Sequence, residues 1–156
     1  MMSENRDRAR VMVPPPMVFL GYLIGALIMN WVLPFSIPWT LILRIIGGLA
    51  LAAGILLIIS AFSQMMNAHT TPDANQPTTA LVTTGPYRFS RNPIYLGFFL
   101  IYIGFTLLAG TLWGIILSPF LLWTVSHAVI NMEEVYLKNK FKDEYANYSS
   151  RTRRWI

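Results

Sequence analysis

The chain has 156 residues, of which 54% are hydrophobic and only 12% charged, with a mean hydropathy of +0.49. Soluble domains carry about 25% charged residues, so this composition excludes an ordinary soluble domain and points to one small membrane domain. The net charge of +5 does not make it a nucleic-acid binder, because the charge is confined to a few polar segments. Cysteine is absent, which rules out disulfides, thiolate metal sites and a cysteine nucleophile; no metal is expected.

In chain order, residues 1–16 form a polar tail with Arg6, Arg8 and Arg10, closed by Pro14-Pro15-Pro16. An apolar run over 17–33 is at the short end of what crosses a bilayer. No small-residue cleavage pattern follows it, so it is expected to be an uncleaved first span. Pro34 to Pro38 is an uncharged turn. The second span is expected over 39–62, with Arg44 snorkelling to the interface. Gly47-Gly48, Ala52-Ala53 and Gly54 offer it a small-residue packing face.

Residues 63–92 form a long polar loop, and a loop of that length in so small a protein is usually functional or disordered. His69 within it is expected to be a solvated residue rather than a ligand. The loop closes on Gly85-Pro86-Tyr87-Arg88-Phe89-Ser90-Arg91-Asn92-Pro93-Ile94-Tyr95-Leu96-Gly97. Pro86 and Pro93 should hold Gly85 and Asn92 extended, and Pro93 suits the first turn of a helix. A helix start flanked by arginines is an anion site in physical terms, although the same stretch also suits a plain interfacial anchor.

A third span is expected over 93–109. Gly110-Thr111 then forces a tight antiparallel hairpin into a fourth span over 112–130. Pro119 should kink that helix, with Ser118 close enough to help satisfy the freed carbonyl. The helical pattern then continues into water from Asn131 towards Tyr145 or Tyr148. On an ideal helix His127, Asn131 and Glu134 share a face at i, i+4 and i+7, and Glu133 falls off it. Such a set can bind a cationic, hydrogen-bonding ligand or simply be solvated at the headgroups.

The three polar segments on one side of this fold carry three, two and six Lys/Arg, and the two opposite turns carry none. The positive-inside rule puts both termini and the 63–92 loop in the cytoplasm, in a cell inner (plasma) membrane. The fold class is therefore all-α: four transmembrane helices, a cytoplasmic loop, and a C-terminal helix extending from the fourth.

Gly-Pro-Tyr (85–87), Arg-Asn-Pro-x-Tyr (91–95), a short hairpin, Glu-Glu-x-x-Leu (133–137), then Phe141, Tyr145 and Tyr148 resemble the isoprenylcysteine carboxyl methyltransferase superfamily, which is related to the phospholipid methyltransferases. The likeness covers about residues 78–155, half the chain. It implies an integral membrane methyltransferase that uses S-adenosylmethionine and a lipophilic acceptor. It also implies cofactor contacts from Thr79, Ala80, Leu81 and Val82, from Tyr87, from Asn92, Pro93, Ile94 and Tyr95, and from Glu133. Asn131 and Glu134 complete the candidate cofactor set, and His127, Asn92 and Arg91 are the catalytic candidates.

Two positions depart from the eukaryotic pattern: Asn92 stands where histidine is usual, and Val129 where a substrate-binding arginine is usual. His127 could meet the acceptor, or be satisfied by a backbone carbonyl of its own helix. The rival readings are a small four-span transporter and a scaffold holding anionic lipid through Arg151, Arg153 and Arg154. The first needs an intramembrane carboxylate, and no Asp or Glu occurs between residues 8 and 72 or 74 and 132.

Overall fold

A computed structural model describes residues 13–38, 40–70 and 78–156. The basic N-terminal tail and the centre of the long polar loop lie outside them. The described residues are helical, with no strand beyond two isolated bridges. The helices are α1 (Pro15–Val32), α2 (Leu41–Asn67), α3 (Pro93–Ala109), α4 (Leu112–Val125) and α5 (Asn131–Arg151). A 3-10 turn, Gly85–Arg88, precedes α3, and a π turn, Ser126–Ile130, joins α4 to α5.

Among the described residues, three helices are long and apolar enough to cross a membrane: α1, α2 and the continuous Leu112–Arg151 helix. With the composition, they make this a membrane protein. The fourth apolar helix, α3, has 17 residues and is about 25 Å long.

Helix α3 is the centre of the bundle. Helix α2 packs along it more extensively than any other pair, and α1 packs on α3 and α4. The α2–α3 seam is close because glycines face each other across it. A Cβ on Gly54 would lie 2.6 Å from Gly97 O, and one on Gly104 would lie 2.8 Å from Gly47 O. Of the small-residue run in α2, Gly47 and Gly54 make this contact, while Gly48 faces open space. Between α1, α3 and α4, Phe19, Tyr95, Tyr102, Leu121, Val125, Val129 and Ile130 form the apolar core.

One end of the bundle is tied by the two uncharged turns. Ile37 N donates to Gly110 O and Leu112 N to Phe35 O, each at 2.8 Å. Gly110 ends α3 in the left-handed region, φ 66°. Tyr102 Oη donates to Gly114 O at 2.8 Å, holding α3 to α4. Ser118 Oγ donates to Ile115 O at 2.7 Å, the carbonyl that Pro119 leaves without a helical partner.

Three expectations need correction. Helix α2 runs five residues past the expected end at 62, to Asn67, because Ser63-Gln64-Met65-Met66 contains no breaker. Gly85 is not extended: its φ is +59°, a conformation glycine adopts without steric cost. There the chain turns against the side chain of Gln64, 2.7 Å from where a Cβ would sit. The final helix runs past Tyr148 to Arg151, with a sharp break at Lys142 (φ 42°, ψ −114°).

Candidate functional site

At the end of the bundle opposite the paired turns, the 78–92 segment, the start of α3, the end of α2 and α5 enclose a cavity. Counted together with the open solvent at its mouth, the space measures about 890 Å³.

The roof is the polar segment, held by the end of α2. Thr79 N donates to Thr70 Oγ1 at 3.1 Å, Thr79 Oγ1 to His69 O at 2.7 Å, and Thr84 Oγ1 to Gln64 Oε1 at 2.8 Å. Thr78 N reaches across to Tyr136 Oη at 3.2 Å. His69, at φ 51°, ends the turn leaving α2. Ala80, Leu81 and Val82 thereby line the cavity, whereas the exposed Thr79 is a tether of the roof.

The floor is the start of α3. Pro93 opens the helix, preceded by Asn92 at φ −129°, ψ 52°, outside the α region as a residue before proline should be. Asn92 does not cap the helix with its side chain. Its Nδ2 donates instead to Arg154 O at 2.9 Å. Arg91, Asn92, Pro93, Ile94 and Tyr95 all line the cavity.

The far wall is α5, and the π turn sets its rotation. Asn131 N donates to Ser126 O, five residues back, so the extra residue turns everything beyond it relative to an ideal α-helix. The face expected to unite His127, Asn131 and Glu134 is therefore broken. Glu133 and Glu134 both line the cavity; His127 and Asn131 are not among its walls. The exposed His127 ring lies 4.8 Å from that of Trp123, and its Nδ1 is 2.8 Å from Trp123 O.

The two glutamates differ in what holds them. Glu134 takes a two-pronged bond from Arg154, Nε to Oε1 at 3.1 Å and Nη2 to Oε2 at 2.5 Å, with Arg91 Nη2 also 3.4 Å from Oε1. Glu133 has no Lys, Arg or His beside it among the described residues; Tyr95 Oη donates to its Oε1 at 2.5 Å. Burial pushes the Glu133 carboxyl up to about 7, the Tyr95 bond works against that shift, and the charge of Glu134 adds to it. Arg91 Nε is likewise buried without an acceptor.

Tyr87, Tyr136, Tyr145 and Tyr148 also line the cavity. Tyr148 Oη donates to Tyr87 O at 2.7 Å, and the rings of Tyr145 and Tyr148 meet edge to face. Burial raises the hydroxyls of Tyr87, Tyr145 and Tyr148, so they are protonated at neutral pH. The part played by Arg154 and by Tyr136 had no signal in the sequence beyond a basic tail and an aromatic on a polar helix.

Fold and site together define a helical membrane protein with a ligand cavity at the polar end of its bundle, holding an uncompensated carboxylate and an under-used guanidinium. The chain belongs to the phospholipid methyltransferase family, whose description, "Phospholipid methyltransferase", matches residues 42–144. It is similar to protein-S-isoprenylcysteine O-methyltransferase of Saccharomyces cerevisiae, 36% identical over 84 residues, which are 54% of this chain and 35% of the relative. The protein of the same name from Schizosaccharomyces pombe is 38% identical over 68 residues, 44% of this chain and 29% of the relative. This chain thus spans about a third of the length of these relatives, and the superfamily resemblance read from its motifs is borne out. No solved structure gives a significant match.

Proposed function

We propose that the protein transfers a methyl group from S-adenosylmethionine to a lipophilic acceptor at the cytoplasmic face of the membrane, with all four apolar helices crossing it and α3–α4 forming a hairpin. Glu133 carries this reading: a buried carboxylate in a tyrosine-rich cavity, paired with no cation of its own, suits a cationic ligand. The residues present fit the cofactor. Glu133 would take its ammonium group, the free Nε of Arg91 would take its carboxylate, and the tyrosine rings would suit its base or its sulfonium. Ala80, Leu81 and Val82 add apolar lining under the roof.

When bound, the cofactor supplies an electrophilic methyl group on a positively charged sulfur. Displacement on such a carbon is in line, so the task of this chain is to place two reactants rather than to move protons. Arg91 and Glu133 would hold one end of the donor, and the tyrosines would limit water in the cavity. The acceptor comes from the bilayer. Helix α2 makes no extensive contact with α4 or α5 among the described residues, and Met65, Ile94 and Leu137 give the cavity apolar walls between them.

The relatives are named for an isoprenylcysteine, but position 129 argues for a different acceptor here. Val129 is 1% exposed, inside the apolar core, and offers no cation to a carboxylate. An uncompensated carboxylate is costly to desolvate, so a neutral or readily neutralised thiol, phenol or amine is the better substrate. A labelled-methyl transfer assay over a panel of such lipophilic acceptors tests the proposal. Lack of transfer to every acceptor, with no binding of S-adenosylhomocysteine, would refute it.

A further inference from the structure

By composition Arg151-Thr152-Arg153-Arg154 is a basic tail of the kind that faces anionic headgroups. The structure gives its members different duties. The chain leaves α5 in an extended conformation at Thr152 (φ −121°, ψ 130°) and runs parallel to the loop before α3, pairing Arg153 with Ser90. Arg153 O accepts from Arg91 N at 3.0 Å. Arg154 O accepts from Asn92 Nδ2 at 2.9 Å and from Ser90 Oγ at 3.4 Å.

The side chain of Arg154 then reaches back to α5 and grips Glu134 with both prongs, as described above. A forked Arg–carboxylate pair is both directional and stronger than a single neutral bond. Arg91 meets the same carboxylate at 3.4 Å with Nη2 and donates Nη1 to Tyr145 Oη at 3.5 Å, while its Nε is left buried without an acceptor.

We propose that Arg154 is a positioning residue for the cofactor site, occupying Glu134 so that the guanidinium of Arg91 stays available to the carboxylate of the bound cofactor. The inference rests on the reading of the cavity given above. Charge balance is the physical reason. Two carboxylates, Glu133 and Glu134, face two guanidiniums, Arg91 and Arg154. Without Arg154, Glu134 draws Arg91 to itself, and the site keeps two acids against one base. A ligand carboxylate then loses its donor.

Glu133 also becomes harder to ionise in that case. The groups around it are Tyr95 on α3, Tyr87 in the 3-10 turn and Glu134 on its own helix, with Arg91, Arg154, Tyr145 and Tyr148 beyond. None but the two arginines is positive. The backbone carbonyls of residues 153 and 154 remain in any side-chain variant, so the latch on Ser90–Asn92 and the charge effect are separable.

The test uses the full chain purified in detergent, with S-adenosylhomocysteine binding followed by calorimetry from pH 6 to pH 9. Arg154→Gln should weaken binding about tenfold to hundredfold at pH 7, the range expected for losing a charge-assisted contact, and move the pH at which binding is half-maximal upward. Arg154→Lys should restore that pH and part of the affinity. Adding Glu134→Gln to Arg154→Gln should recover binding, since it removes the carboxylate that captures Arg91; a role limited to packing would show no such rescue. Wild-type affinity and pH dependence in Arg154→Gln, or a double variant as weak as the single one, would overturn the inference while leaving the cofactor reading intact. Absence of binding by the wild-type protein at every pH would overturn both.

Discussion

Tyr95, on the first turn of α3, donates its hydroxyl to Glu133 of α5 at 2.5 Å. This bond crosses the cavity wall between two helices and joins residues that are 38 apart in the chain. It holds the one cavity carboxylate that no arginine takes. The first prediction follows from that difference between the glutamates. Glu133→Gln should weaken S-adenosylhomocysteine binding about tenfold to hundredfold, the equivalent of roughly 1.5–3 kcal/mol for a bond to a charged group. Calorimetry on Glu133→Gln and Glu134→Gln separates them. A larger loss for Glu134→Gln would assign the ammonium site to the wrong carboxylate.

The pH dependence of stability has a definite sign. The Glu133 carboxyl is raised by burial from 4.5 to about 7, so between those values the folded protein holds a proton that the unfolded chain has released. Its contribution to stability is complete below about 4.5 and is lost as pH rises through about 7. Thermal unfolding of the ligand-free protein should therefore show stability falling across that window, and Glu133→Gln should abolish this component. Stabilisation by S-adenosylhomocysteine should run the other way and grow as Glu133 ionises.

His127 is expected to matter little for the cofactor. Its ring lies on Trp123, outside the cavity walls, and its Nδ1 meets the carbonyl of Trp123. His127→Ala should bind S-adenosylhomocysteine as the wild type does. Any effect on transfer should then fall on the acceptor, as a change in KM or kcat for methyl transfer at saturating cofactor. A prenylcysteine acid should be a poor acceptor for the wild type, and robust methylation of a farnesylated cysteine analogue would contradict the argument from Val129.

Close packing of α2 on α3 makes Gly54 sensitive. Gly54→Ala places a Cβ 2.6 Å from Gly97 O and 2.8 Å from a side-chain carbon of Ile101, and backbone cannot yield as a flexible side chain does. A loss of about 1–3 kcal/mol is expected for overpacking of this kind, measured as unfolding in detergent. Gly48→Ala, facing open space, is the control and should be close to neutral.

Orientation can be read by cysteine labelling in cells. Single cysteines at positions 75 and 150 should react only from the cytoplasm, and one at the exposed Phe35, beside the paired turns, only from outside. Labelling of position 75 from outside would overturn the cytoplasmic placement of the cavity.

Much was legible from residue order alone. Long apolar runs in a chain with no acid between residues 8 and 72 or 74 and 132 leave little choice but membrane helices, because burying an ion in hydrocarbon is too costly. Pro93 marks the start of α3, since proline suits a first helical turn, and Ser118 was predicted to satisfy the carbonyl freed by Pro119 because both effects act within one turn. The motifs grouped residues 79–82, 87, 92–95 and 133, and all of these but Thr79 line one cavity. The place of His127 was not legible, because the π turn at Ser126–Ile130 changes the rotation of everything after it, and composition does not mark where a helix takes up an extra residue. Nor could the sequence show that Arg154 grips Glu134, twenty residues back, that Gly85 turns against Gln64, or that Gly47 and Gly54, but not Gly48, meet α3. Those are long-range contacts: local preferences set the helices and their ends, and only their packing decides which side chains share a cavity and which charges balance within it.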